Sequence, residues 1–326
     1  MKKIFAISIP ILLVILSSCS PIQKMNTDVL EPAEIYFPDD IYSLAFLMPE
    51  PEVIINTRTY DEIDAEPGQD LWAGITDIAS VSPRFNVNSL KLLDKYTDTI
   101  MQETLEWDEV ERITDSMAVD ALVVLHQVKL SDSLQREIVY DLDYEGFYFV
   151  YEVYATIKWK IYDPRNQSIF NEHTYNEKFV WESLAYDERQ AIMELVGINE
   201  AFSSAAYWSG NDIGHIFFPY WVEEQRFYYM RGNKHFRRAR DQVEKNNWQK
   251  AIDIWKQNFK LNSEDAAYRA AYNIAFASEM LGKIDLAIEW AEKALDIGYT
   301  RKTQDYLNTL RERKEKLEKI DKQMPL

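Results

Sequence analysis

The chain of 326 residues holds a single cysteine, Cys19, so no internal disulfide can form and the fold must rest on its cores. Its four histidines are His126, His173, His215 and His235. No two of them stand at i, i+4, so no local zinc signature exists, and His126 on an apolar run reads as a hydrogen-bonded core residue. Nine glycines are scattered along the chain. They make neither a phosphate-cradling loop nor a Gly-x-Ser-x-Gly nucleophile turn. Basic residues are also short, with 36 Lys and Arg against 54 Asp and Glu, for a net charge of -18. Residues 1–18 contain two lysines and no acid, so the rest carries -20. Such a surface repels phosphate backbones and anionic headgroups, which argues against nucleic acid and against membrane binding by charge. These absences predict a protein that is not an enzyme and needs no cofactor or metal.

What is present begins with an apolar run, Ile4 to Leu16, behind Lys2 and Lys3. It is short for a membrane span and has the shape of a secretory signal over residues 1–18. The run ends Leu16-Ser17-Ser18-Cys19, which resembles a bacterial lipobox. The resemblance implies cleavage before Cys19 and lipidation there, with acyl chains contributing ~0.8 kcal/mol per buried CH2. Ser20 follows in place of an acid, and no acidic cluster comes next. The expected location is therefore the outer membrane, facing the periplasm. Residues 19–39, with Pro21, Pro32 and Pro38, are expected to be a lipidated tether.

A hydrophobic fraction of 47% and an aromatic fraction of 13% supply real cores, and the length suits about two domains. Residues 40–221 read as an α/β domain. Ile41 to Met48 is a buried strand stopped by Pro49 and Pro51, and Asp70 to Val81 has helical spacing. Phe85 to Leu90 looks extended, Trp107 to Met117 is helical, and Ala121 to Val128 is an apolar strand. From Phe147 to Ile161 apolar side chains alternate with polar ones, the pattern of a half-buried strand. Asp163-Pro164-Arg165-Asn166 is a turn, and Ser168 to Val180 returns to close a long antiparallel hairpin. Asp187 to Tyr207 is helical, and Gly210 and Gly214 are expected to loosen the chain before Phe217-Phe218-Pro219-Tyr220-Trp221. This order resembles the small α+β domain of periplasmic lipoproteins of the curli-secretion and penicillin-binding-protein-activator type.

Residues 222–326 read as an all-α domain. Trp248-Gln249-Lys250-Ala251-Ile252 returns as Ile284-Asp285-Leu286-Ala287-Ile288, a period near the ~34 residues of a tetratricopeptide (TPR) hairpin repeat. Such repeats stack, and the stack's inner face binds extended peptides. Arg269, Tyr272, Phe276 and Glu279 are the protein-binding candidates on that face. A competing occupant is the chain's own last helix, Arg301 to Lys322, whose Tyr306, Leu310, Leu317 and Ile320 share one side. Trp248, Trp255 and Trp290 are better read as filling the hairpin core than as a recognition stripe. In all, the fold class is α+β.

Several segments together resemble a Bacteroidota lipoprotein family of unknown function with C-terminal TPR-like repeats. They are Trp107-Asp108-Glu109-Val110, Val119-Asp120-Ala121-Leu122-Val123, Trp159 to Pro164, Pro219-Tyr220-Trp221 with Arg226, Tyr228 and Tyr229, Trp248 to Trp255, and Ala270 to Trp290. The chain departs from that pattern between Asn211 and Phe218. The resemblance implies a location and an architecture, and no activity. One further pattern, Asp141-x-Asp143-x-Glu145-Gly146 with Glu152, has calcium-loop spacing, but flanking helices are missing and Glu152 falls mid-strand. The expected function is a non-catalytic scaffold in envelope assembly or maintenance, binding envelope proteins or peptides. The alternative is a small-ligand or cation-binding module in the middle domain.

Overall fold

The computed structural model describes residues 22–57, 64–85, 87–94, 104–141, 144–259 and 263–324. The fold is α+β, and the chain divides into two compact units. One combines Asp28–Val222 with Glu315–Leu326, and the other combines Met1–Thr27 with Glu223–Lys314. The sequence-based helical domain ran on to Leu326, whereas Glu315–Leu326 groups with the sheet unit.

In the sheet unit, β2 (Leu44–Met48), β4 (Leu90–Asp94) and β5 (Ala121–Asp141) are parallel, and short β3 (Glu52–Ile54) lies beside β5. β5 then runs antiparallel to β6 (Tyr144–Asp163), and β6 to β7 (Ser168–Ala185), giving the order β4-β2-β5-β6-β7. Every residue of β2 is buried, as a central parallel strand requires. Phe46 and Leu44 join the core under helices α1 (Pro67–Val81) and α4 (Ile198–Phe217), while Ala45 and Leu47 join the opposite core with Val110 and Ile113 of α2 (Trp107–Met117). On β6 the alternation is realised: Phe149, Tyr151, Val153, Ala155, Ile157, Trp159 and Ile161 are all buried. β5 outruns its apolar window by thirteen residues, 129–141, because β6 offers hydrogen-bond partners along that whole length.

Three local expectations are corrected. Helix 187–207 is two helices, α3 (Glu188–Glu194) and α4, interrupted before Gly197, which caps α4. Gly210 and Gly214 lie inside α4 rather than loosening it. A Cβ on Gly210 would stand 2.0 Å from the Leu71 carbonyl oxygen, so these glycines let α4 press against α1. Finally, the tether carries structure: Ile22–Glu31 is strand β1, paired with β8 (Tyr220–Tyr229). Val29, Leu30, Ala33, Ile35 and Phe37 are buried. Its prolines flank the strand, and a ladder partner 190 residues away in sequence is invisible to local periodicity.

The helical unit holds α5 (Lys234–Val243), α6 (Trp248–Phe259), α7 (Glu264–Met280), α8 (Ile284–Ile297) and the first part of α9 (Arg301–Gln323). Two turns repeat with an offset of 36 residues. Asn247 N donates to Gln242 O and Asn246 N to Val243 O, as Lys283 N does to Ser278 O and Gly282 N to Glu279 O. Asn246 and Gly282 both adopt positive φ, +54° and +70°, the left-handed cap that closes such a helix end. Ala251 and Ala287 each follow three residues into the next helix and are fully buried.

Candidate functional site

The topology of the sheet unit creates one place where a ligand is expected. β2 leads to α1 on one face of the sheet, and its neighbour β4 leads to α2 on the other. Where adjacent parallel strands send their connections to opposite faces, a crevice opens at the carboxyl ends. Here that crevice is a cleft of about 880 Å³, within the usual range for a ligand site. Met48 and Leu92 form its strand side, Pro49, Glu50, Pro51 and Val53 one wall, and Ala65 to Gln69 with Trp72, Ala73 and Thr76 the other.

Each wall follows from its local sequence. Pro49 and Pro51 cannot donate to a ladder, so the chain leaves the sheet at Met48. Pro67 opens α1 at its first turn, where a missing N–H costs nothing. Glu66 O accepts from Gln69 N at 2.9 Å and Asp70 N at 3.1 Å. Trp72 is half-buried, its ring edge-on to Phe46 at 5.3 Å between centroids. The Thr76 hydroxyl is turned back on its own helix, donating to Trp72 O and Ala73 O at 3.0 Å. The ionisable lining is Glu50 and Glu66, both exposed. Among the described residues no hydroxyl or thiol paired with a base lines the cleft.

The four residues predicted to face a partner are placed differently. Tyr272 and Phe276 are 1% and 0% exposed. β8 covers them: Phe227 stacks on Tyr272 at 4.8 Å and Tyr228 on Phe276 at 5.7 Å. The competing occupant is there as well, since Tyr306 of α9 packs on Tyr272 at 5.0 Å. Glu279 has a side chain only 7% exposed, pairs with Arg226 Nε at 3.1 Å and accepts from the Tyr306 hydroxyl at 2.6 Å. Burial opposes the Arg226 charge, but Glu279 and Glu224 outweigh it and hold its pKa up. Burial and Glu279 together push the Tyr306 phenol well up. Arg269 has the most exposed side chain of the four, at 24%; it pairs with Asp265 at 3.0 Å, donates to Arg231 O and lies over the Tyr229 ring. A crevice of about 360 Å³ remains beside this network, lined by Lys24, Arg226, Phe227, Tyr272, Lys302 and Tyr306 among others.

Asn273 is a residue the sequence reading missed. It is fully buried in α7, accepts from Tyr229 N and donates to Tyr229 O, both at 2.7 Å. A buried Asn in an otherwise Ala-rich helix was the available signal. The tryptophans fill hydrophobic cores as read: Trp255 is fully buried, Trp248 meets Phe276 and Trp290 meets Phe259.

Among the described residues no group of three His, Cys, Asp or Glu could hold a metal. His126 lies 3.5 Å from the Tyr162 hydroxyl, His173 packs on Trp159, and His215 stacks near Tyr220, its pKa lowered by burial. Of the calcium-type pattern, Asp143 lies outside the described residues. Glu152 is 4% exposed and engaged by Lys178 at 2.7 Å, Tyr154 at 2.5 Å and Gln135 at 3.3 Å, which hold its carboxyl below the ordinary range. Cys19 also lies outside the described residues, among which no helix is long and apolar enough to cross a membrane.

Residues 83–229 match a domain of unknown function (DUF8603). Residues 237–312 match a second domain of unknown function (DUF6340). No curated protein matches. The similar solved structures include a neuraminyllactose-binding hemagglutinin homolog from Helicobacter pylori, at 13% identity and a TM-score of 0.29, covering 56% of this chain and 91% of that one. PelC from Paraburkholderia phytofirmans, solved as a dodecamer, gives 9% identity and 0.25, with 59% and 95% covered. A minor lipoprotein from Acinetobacter baumannii gives 10% and 0.20, with 56% and 98% covered. At these TM-scores the likenesses decide nothing about function.

Proposed function

We propose that this protein is a non-catalytic binding protein of the bacterial envelope, anchored in the outer membrane by lipid on Cys19, facing the periplasm, and serving as a scaffold in envelope assembly or maintenance. The observation that carries the binding role is the cleft at the carboxyl ends of β2 and β4. It has the size and position of a ligand site, and its lining offers apolar surface and two exposed carboxylates for recognition. The helical unit is proposed to be a TPR-like stack, on the support of its repeated turns and equivalent buried alanines. Within it Arg269 is the groove residue left to contact a partner.

Photo-crosslinking in the native envelope tests the reading. A benzoylphenylalanine in place of Gln69, an exposed cleft residue, should give discrete protein adducts. The same group at Ser80, exposed on α1 and outside the cleft, should give none of them. Identical patterns from both positions would remove the cleft from the function. Cys19→Ser should move the protein out of the membrane fraction, and full retention after a salt wash would remove the anchor.

A further inference from the structure

Resting on that reading, we propose that the cleft recognises a basic, apolar segment of a partner protein, with a Lys ammonium or Arg guanidinium held by Glu50 and Glu66 and a neighbouring apolar side chain on Trp72. The argument is a balance of donors and acceptors along the walls. Pro49, Pro51 and Pro67 have no N–H to offer. The amides of Gln69 and Asp70 are already given to Glu66 O, which leaves Gly68 N–H and the Gln69 side-chain amide, both uncharged, as the donors at the start of α1. The Thr76 hydroxyl is spent on its own helix. Against these stand two exposed carboxylates with no ion-pair partner among the described residues, and among those residues no Lys, Arg or His lines the cleft. The charged groups of this lining are both acceptors, and the charged side chains that only donate are Lys and Arg.

The remaining lining sets the rest of the ligand. Met48, Val53, Trp72 and Leu92 are apolar, and a space of about 880 Å³ is far larger than one ammonium group and a water or two. An apolar body must therefore enter with the charge. The net charge of -18 adds a long-range pull on a basic partner.

Calorimetric titration of the full acylated chain in neutral detergent tests this with three blocked hexapeptides of alternating Lys-Leu, Ser-Leu and Glu-Leu. The Lys-Leu peptide should bind about tenfold or more tighter than the Ser-Leu one. In the double variant Glu50→Gln, Glu66→Gln that preference should fall to about twofold. Trp72→Ala should weaken Lys-Leu and Ser-Leu binding by similar factors, with Trp72→Phe retaining most of it and circular dichroism reporting the fold. Equal binding of Ser-Leu or Glu-Leu would leave the cleft a binding site and overturn the basic-segment assignment. A Lys preference that survives the double variant would place binding elsewhere on the acidic surface and also overturn it. Agmatine binding as tightly as the peptide would overturn the protein-segment part. If no peptide binds below about 1 mM, the cleft reading itself fails.

Discussion

In the sheet unit, β2 and β4 end at a cleft whose walls are prolines, a half-buried tryptophan and two exposed carboxylates. In the helical unit, the inner face of α7 is sealed by its own chain: Phe227 and Tyr228 stack on Tyr272 and Phe276, and Tyr306 closes over them. The cleft and the inner face of α7 therefore treat polar groups in opposite ways. The sheet unit leaves Glu50 and Glu66 in solvent, free to meet a ligand. The helical unit draws Arg226 and Glu279 inside, where each charge is balanced by the other, with Glu224 also on Arg226 and the Tyr306 hydroxyl on Glu279. An exposed charge can serve recognition at little cost, whereas a buried pair commits its residues to structure.

The sharpest way to break this contrast is to orphan the buried charge. Glu279→Ala removes the partner of Arg226 Nε and the acceptor of the Tyr306 hydroxyl. Urea unfolding should show a loss near the low end of about 3–5 kcal/mol, because Glu224 still pairs with the Arg226 Nη2. Replacing both partners, Arg226→Met with Glu279→Leu, should cost less than Glu279→Ala alone. A double variant less stable than the single would show that the pair itself supplies the stability.

The sheet unit has its own point of no tolerance, and it is steric. Gly210→Ala places a methyl against the Leu71 carbonyl, where every near atom is Leu71 backbone and cannot swing aside. The loss should reach or pass the ~3 kcal/mol top of the overpacking range, read by denaturant midpoint. Gly197→Ala, where nothing lies within 4 Å of the new Cβ, is the control and should cost under about 1 kcal/mol. Ala287→Leu makes the matching test in the helical unit. Ala287 is fully buried among small residues, so about 1–3 kcal/mol should be lost. An unchanged melting temperature would contradict the close helix contact there.

These residues also show how far the sequence reaches. Ala287 was legible because its repeat with Ala251 is a local pattern with a fixed offset. The strand from Phe147 to Ile161 was legible for the same reason, a period of two that survives in the ladder. Tyr272 and Phe276 were placed on the correct helix and assigned to the wrong environment. What buries them is β8 and α9, and no periodicity within α7 reports a strand that precedes it by some fifty residues. Gly210 and Gly214 misled for a related reason: a glycine in a helix reads as a weakness until the neighbouring backbone is known. The cleft was not legible at all. It is a product of strand order, which becomes visible only when β2 lies between β4 and β5.

A pH titration extends the comparison to a buried carboxylate of the sheet unit. Glu152 accepts from Lys178 and Tyr154, and its folded pKa is depressed. A depressed carboxylate contributes stability above its unfolded pKa, near 4.3, and loses it as pH falls through the folded value. The stability gap between wild type and Glu152→Gln should therefore be present at neutral pH and shrink below about pH 4. A gap independent of pH down to about 2 would mean that packing, not charge, accounts for the residue.

The smallest expected effect falls on Arg269, where the two ways of using charge meet in one side chain. Its side chain is 24% exposed, pairs with an Asp265 side chain that is 68% exposed, and places its guanidinium over the Tyr229 ring. Exposed pairs one helical turn apart contribute about 0.3–0.5 kcal/mol, and the ring contact adds of the order of 0.5–1 kcal/mol. Arg269→Ala should thus lower stability by about 1 kcal/mol or less, far below the loss at Glu279. If Arg269 contacts a partner, the same substitution should reduce crosslinked adducts formed through the helical unit while circular dichroism stays unchanged. Lys in its place keeps the charge but loses the fork that reaches Arg231 O, so Arg269→Lys should restore only part of the adduct yield. Adducts undiminished in Arg269→Ala would leave the helical unit with no exposed member of the predicted groove, and would assign recognition to the cleft of the sheet unit.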